Sequence, residues 1–318
     1  MGRLPPAAKL SLAVRKNVRD EYDNNKDDLE KQLSELLGET WTIDITPNAI
    51  WPYHNDGYAK ESLGSCIKSY IEGAIYQFKH LTQRYESADL AKEINTICHT
   101  HVLTLDLEET NPPRFSYGGC DVLDGRFRIL FVEGCLGTNI DYACGEDNLF
   151  KALNVAPDPA GRPMSFLTRL GIRTDYDPTI AETRHSIAEL MGKPDDEVKL
   201  SPNFEESFTK LQAESKKKGN SLREDWEKNL GDFTKKYFDA LVYHMKYIKV
   251  GDDDLIQEAF NEAVDKNEMA FRIVDKLSDK DSSYNEAVIE DGVLYLQCKP
   301  ETWGVNVDYV AEKLMDIL

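Results

Sequence analysis

Two separated stretches of the chain recur at one fixed spacing, and this internal repetition constrains the fold more than any local pattern does. LGSCIKSYIEGAIYQFKHL (63–81) aligns without a gap on LGDFTKKYFDALVYHMKYI (230–248) at an offset of 167, with identities at Leu63/Leu230, Gly64/Gly231, Lys68/Lys235, Tyr70/Tyr237, Tyr76/Tyr243 and Lys79/Lys246. Average composition would give roughly one such identity by chance. DGRFRILFVEGCLGTNIDY (124–142) aligns on DGVLYLQCKPETWGVNVDY (291–309) at the same offset and keeps Asp-Gly, Gly137/Gly304 and Asn-x-Asp-Tyr. A third pair, ELLGETWTIDITPN (35–48) and ELMGKPDDEVKLSPN (189–203), lies at offsets of 154 to 155, so the second copy carries extra residues before its long helix. That insertion includes ESKKKGNS, a loop-like stretch.

Periodicity supplies the elements of each copy. Leu63, Cys66, Ile67, Tyr70, Ile71, Ala74, Ile75, Phe78 and Leu81 recur at helical spacing, and the second copy places Leu230, Phe233, Tyr237, Phe238, Leu241, Val242, Met245 and Ile248 on the same face. Asp124-Gly125 and Asp291-Gly292 each separate two alternating runs, as a hairpin with a type I′ turn requires. A first strand (41–46 and 196–201), a strand after the second helix (101–107 and 268–274) and a terminal helix complete an α-β-α-α-β-β-β-α unit present twice. The expectation is an α+β fold with mostly antiparallel sheets packed by amphipathic helices. Its divisions are an N-terminal extension (1–26), a first repeat (27–153), a Pro- and Gly-rich connector (154–178) and a second repeat (179–318).

Composition narrows the partners. A net charge of −19 over 318 residues repels a nucleic-acid backbone or an anionic membrane, and no apolar run is long enough to span a bilayer. The six cysteines (Cys66, Cys98, Cys120, Cys135, Cys144, Cys298) contain no CxxC pair and read as reduced thiols, which points to the cytoplasm. With 41% hydrophobic residues the chain fills real cores.

Four motifs bear on chemistry. CHTHVLTLDL (98–107) sets His99 and His101 two residues apart; on a strand beginning by residue 99 they share a face and could reach one divalent metal. No third ligand is evident, the same parity puts them on the side of Leu103, Leu105 and Leu107, and offset 167 pairs them with Lys266 and Glu268. WPYHNDGY (51–58) gathers Trp51, Tyr53, His54 and Tyr58 in a loop able to line a pocket or cap the sheet. Cys120 lies beside glycines where a backbone could approach a ligand. The paired Asn-x-Asp-Tyr sequences read as helix starts, with Asp308 as an N-cap, Asn306 supporting the turn and Tyr309 packed on the first helical turn, and GDDDL (251–255) likewise as acids at a helix start.

Without a complete catalytic constellation, the expected function is a soluble acidic binding or scaffold protein whose two diverged copies engage a protein partner. The alternative is an enzyme or small-ligand protein with a pocket in the first repeat, lined by His99, His101 and the Trp51–Tyr58 loop. No cofactor is expected for the first reading; a divalent metal at the His pair belongs to the second.

Overall fold

Both Asp-Gly pairs form the tight turns that the alternating runs require. Asp124 and Gly125 have φ of 50° and 73°, Asp291 and Gly292 have 49° and 76°, and a left-handed pair of this kind matches the twist of the strands it joins. The computed structural model describes residues 3–85, 88–279 and 282–318. The chain divides into two compact units, Met1–Arg162 and Pro163–Leu318.

In the first unit, α1 (Leu12–Asn17) runs into a π-helical turn at Val18–Tyr22, followed by α2 (Lys26–Leu37), β1 (Thr42–Ile43) and the short α3 (Pro47–Ile50). Two helices, α4 (Leu63–Arg84) and α5 (Ala88–Ile97), lead to β2 (Val102–Leu107). The hairpin of β3 (Gly118–Leu123) and β4 (Arg126–Phe131) precedes α6 (Ile140–Ala143) and α7 (Glu146–Val155). The second unit follows the same plan. It has α8 (Phe166–Gly171) with a π-helical turn at Ile172–Tyr176, then α9 (Ile180–Met191), β5 (Lys199–Ser201) and α10 (Phe204–Ser215). Next come α11 (Trp226–Tyr247), α12 (Asp254–Ala263), β6 (Glu268–Ile273), β7 (Asn285–Glu290) and β8 (Val293–Cys298).

The sheets correct the expectation of mostly antiparallel pairing. Strand order is β1-β2-β4-β3 in one unit and β5-β6-β8-β7 in the other. β2 pairs in parallel with both β1 and β4, and only the hairpin is antiparallel; the second sheet repeats this. The reason lies in the segment between β2 and β3. It carries the chain to the far edge of the sheet, so that β4 returns beside β2 running the same way. Arg114 holds this crossover, donating to Glu108 at 2.6 Å and to Asp121 at 2.8 Å.

The residues assigned to an extension and a connector include packed helices. Val14, Val18 and Tyr22 are buried in the first unit and Phe166, Leu170 and Tyr176 in the second. Ser11 and Ser165 cap α1 and α8, accepting from Val14 N and Thr168 N. The α4 and α11 helices cross these segments so closely that a Cβ on Gly64 would lie 2.4 Å from the Asn17 carbonyl oxygen, and one on Gly231 2.8 Å from that of Gly171. On their inner faces Phe78 packs on Phe127 at 4.9 Å and Tyr237 stacks on Phe271 at 4.7 Å.

Two further expectations are corrected at the end of the chain. Residues after Asn306 form 3-10 turns at Val307–Tyr309 and Leu314–Ile317 in place of an α-helix, and the turn starts at Asn306 (φ 51°), with Asp308 inside it. Asn139 takes the same left-handed conformation (φ 49°) before α6.

Candidate functional site

The long helix of each unit turns its buried tyrosine inward and another tyrosine outward. Tyr70 and Tyr237 are buried, and their phenol oxygens accept the Gly137 and Gly304 N–H groups at 3.1 and 3.2 Å. Both glycines sit at positive φ (83° and 76°), and this bond pins the Asn-x-Asp-Tyr turn against the helix. Six residues on, and so on the other side of the helix, Tyr76 and Tyr243 are 64% and 62% exposed, and across the turn Tyr142 and Tyr309 are 74% and 59% exposed. The expectation that Tyr309 packs on the first helical turn is therefore corrected: the turn is pinned by Gly304 and Asn306, and its tyrosine is left at the surface.

Between helix and turn lies a cleft, in the same place in each unit. That of the second unit, about 860 Å³, is lined by Asp239, Tyr243, His244, Tyr247, Tyr309 and Glu312 among others. That of the first, about 490 Å³, is lined by Ser69, Glu72, Gly73, Tyr76, Gln77 and Asp141. Offset 167 pairs Glu72 with Asp239, Tyr76 with Tyr243 and Asp141 with Asp308, which also lines the larger cleft. An aromatic ring recurs one helical turn further on: His80 stacks with Tyr76 at 6.5 Å, and its counterpart is Tyr247.

The charges of the larger cleft divide into satisfied and unsatisfied groups. Asp239 accepts from Thr183 Oγ1 at 2.7 Å and Lys235 Nζ at 2.6 Å, while Lys236 pairs with Asp232 at 2.6 Å and lies over the Phe233 ring. His244 Nε2 donates to the Asp308 carbonyl oxygen at 2.8 Å, holding the turn to the helix. Among the described residues no cation pairs with the carboxylates of Asp308 and Glu312, or with Asp141 in the first unit. Tyrosine faces beside unpaired carboxylates attract an ammonium or guanidinium group through both the ring quadrupole and the charge.

The motifs singled out in the sequence lie elsewhere and do not converge. Extended backbone begins at Val102, not by residue 99, and His101 has φ of 51°. His99 is exposed against the Asp-Gly turn, where a Cβ on Gly125 would meet its ring, while the His101 ring rests 5.7 Å from Trp41. The pairing with Lys266 and Glu268 is also corrected. Thr100 N donates to Gly125 O as Lys266 N does to Gly292 O, and His101 N to Cys98 O as Asn267 N does to Val264 O. The register is thus 166 here, and the counterparts of His99 and His101 are Asp265 and Asn267, the latter also left-handed (φ 51°). Among the described residues no group of three or more His, Cys, Asp or Glu is placed to hold a metal ion.

In the aromatic loop, Trp51 packs on His54 at 4.6 Å and donates to Lys60 O, and His54 Nδ1 accepts the Asp56 N–H at 2.9 Å. Tyr53 is buried against Phe131 at 5.4 Å at the end of the sheet, and Tyr58 lies against Gly137, half exposed. Cys120 is buried in β3; its hydrogen bond with Cys144 and its burial raise its pKa, so the thiol stays protonated at neutral pH. Burial alone pushes Cys66 up to about 12. The twin clefts escaped sequence reasoning although Tyr76/Tyr243 and Tyr142/Tyr309 stood in the alignment. The usable signal was a matched tyrosine on a helix position away from the apolar face.

Comparisons of the chain with protein-family models, with curated proteins and with solved structures give no match.

Proposed function

We propose that the protein is a binding module or scaffold, built by tandem duplication of one α+β unit, in which each unit offers its tyrosine-carboxylate cleft to a lysine- or arginine-rich segment of a protein partner. The observation that carries this reading is the recurrence of exposed tyrosines and an unpaired aspartate at matched positions in both units, where packing gives no reason for them. Exposed aromatic side chains with a charged rim are the usual anchors of protein recognition. The net charge of −19 speeds the encounter with a basic segment.

Titration of a fluorescently labelled hexa-arginine peptide at physiological salt tests the reading. Tyr243→Ala with Tyr309→Ala is expected to weaken binding by about tenfold, and Glu312→Lys to weaken it more than Glu258→Lys, which makes the same change of charge on α12 outside the cleft. Equal effects of the two lysine substitutions would reduce the binding to general attraction by an acidic surface and sink the proposal.

A further inference from the structure

The chain already holds a basic segment in an acidic groove, at a place other than the clefts. Residues Arg3 to Leu10 run ahead of α1 across the carboxyl-terminal ends of β1 and β2. Arg3 forks onto two carboxylates, with Nε and Nη2 donating to Glu109 at 2.9 Å each and Nη2 to Asp106 at 2.8 Å. Leu4 N donates to the Tyr53 hydroxyl at 2.8 Å. Ala7 N donates to Asn48 O at 2.9 Å, and Asn48 Nδ2 returns a bond to Ala7 O at 2.7 Å. Between these anchors Pro5 and Pro6, which have no N–H to satisfy, set an extended path.

These are the contacts of a recognised peptide: a charged fork, a pair of bonds to its own backbone at Ala7, one of them from a side-chain amide, and an apolar floor. Beneath the segment a cavity of about 480 Å³ remains, walled by Asp44, Thr46, Ile50, Tyr53, Asp106 and Phe131. The strap is also separable from the fold behind it. Leu10 is buried, and Ser11 caps α1 with its own side chain, so residues 3–9 can lift away without unwinding the helix. Arg3 is half exposed and Leu4 is 43% exposed, so release uncovers little apolar surface of the strap itself.

The groove is private to the first unit. The counterpart of Asp106 on β6 is Arg272, which reverses the charge, and Asn203, the counterpart of Asn48, donates instead to Phe271 O. The two units therefore share the clefts but not this groove, and the groove does not depend on the function proposed for the clefts.

We infer that the groove is a peptide-binding site, that Arg3–Lys9 is its tethered occupant, and that a basic, proline-containing segment of a partner protein displaces the strap by making the same contacts. Tethering gives the strap a high local concentration, so the groove opens to a competitor only when that advantage is matched or the strap is loosened.

The test uses the chain lacking residues 1–9 and a labelled peptide of sequence RLPPAAKL. The shortened chain is expected to bind the peptide saturably, and the full chain about tenfold or more weaker because its own strap competes. A peptide with glutamate for its arginine is expected to lose the binding, and Tyr243→Ala with Tyr309→Ala to leave it unchanged, which separates this groove from the clefts. Absence of binding to the folded shortened chain, or equal binding to both chains, overturns the inference. Should the shortened chain fail to fold, full-length Arg3→Glu serves in its place: it is expected to gain affinity for the peptide, and no gain overturns the inference. A dimer of the full chain that Arg3→Glu dissolves would assign the groove to the strap of a second copy and overturn the partner reading.

Discussion

The phenol oxygens of Tyr70 and Tyr237 connect the core of each unit to its cleft, because the glycine N–H each accepts belongs to the turn that forms one wall. Removing one hydroxyl leaves that N–H without its acceptor. Tyr237→Phe is expected to cost about 1–3 kcal/mol in denaturant unfolding. Because Tyr237 does not line the cleft, it should also weaken hexa-arginine binding through misplacement of Tyr309, and unchanged stability and binding would show that the turn stands without the bond. Gly231 makes a sharper demand, since its missing Cβ is what lets α11 approach the backbone at Gly171 and Ile172. Gly231→Ala forces backbone apart and is expected to destabilise the chain by about 1–3 kcal/mol; Gly73→Ala, on the open side of α4 with nothing within 4 Å, serves as the control. Matched glycines and buried tyrosines were legible as structure in the sequence. What they touch was not, because neither the Gly137 N–H nor the Gly171 carbonyl leaves a mark in periodicity.

Elements were legible where a local rule decides them. The Asp-Gly hairpins need only their turn conformation, and the long helices need only their apolar stripe, so both stand where the pattern put them. Parallel pairing has no such local mark. The hairpin is the same whichever edge it joins, and its placement depends on the path of the crossover before it, which Arg114 holds in the first unit and Glu286, accepting from Ser278 N and Asp279 N, holds in the second. The contiguous apolar runs Ile129–Leu130–Phe131 and Met269–Ala270–Phe271, all buried, are traces in the sequence of strands enclosed on both sides. The His pair shows the limit of offset reasoning: one residue fewer between the long helix and β6 shifts the register to 166, and only the backbone bonds at the junction reveal it. At the start of α12 the acidic cluster behaves as helix chemistry requires, with Asp253 Oδ1 accepting from Leu255 N at 3.0 Å and Ile256 N at 3.4 Å. Asp253→Ala is expected to lower stability by about 1 kcal/mol, with Asp253→Asn close to neutral. Equal losses in thermal unfolding would show that the charge, and not the cap, matters.

At the scale of the molecule, the division into Met1–Arg162 and Pro163–Leu318 gives each unit its own sheet, long helix and cleft. Each is expected to fold when expressed alone and to unfold in one cooperative step. Separation also allows acid sensitivity to be traced to one place. In the first unit burial pushes the Glu108 carboxyl up, but hydrogen bonds from Arg114 and Thr110 outweigh it and hold the group below its usual value. A carboxylate depressed in the folded state adds stability that is complete above the unfolded pKa of about 4.3 and is lost as pH falls through the lower folded value. Arg114→Met removes the partner and leaves burial, which moves the folded pKa upward. The residue 1–162 unit with Arg114→Met is therefore expected to unfold at a higher pH than its parent in an acid titration followed by circular dichroism. Adding Glu108→Gln should return the midpoint toward that of the parent, because the buried group then carries no charge to neutralise. The second unit places Arg272 where the first has Asp106, and there Arg272 holds Glu290 low through its own hydrogen bonds. Its acid midpoint should respond to Arg272→Met and be indifferent to any change at Arg114. A midpoint that moves in neither unit would place the acid sensitivity of the protein outside these ion pairs.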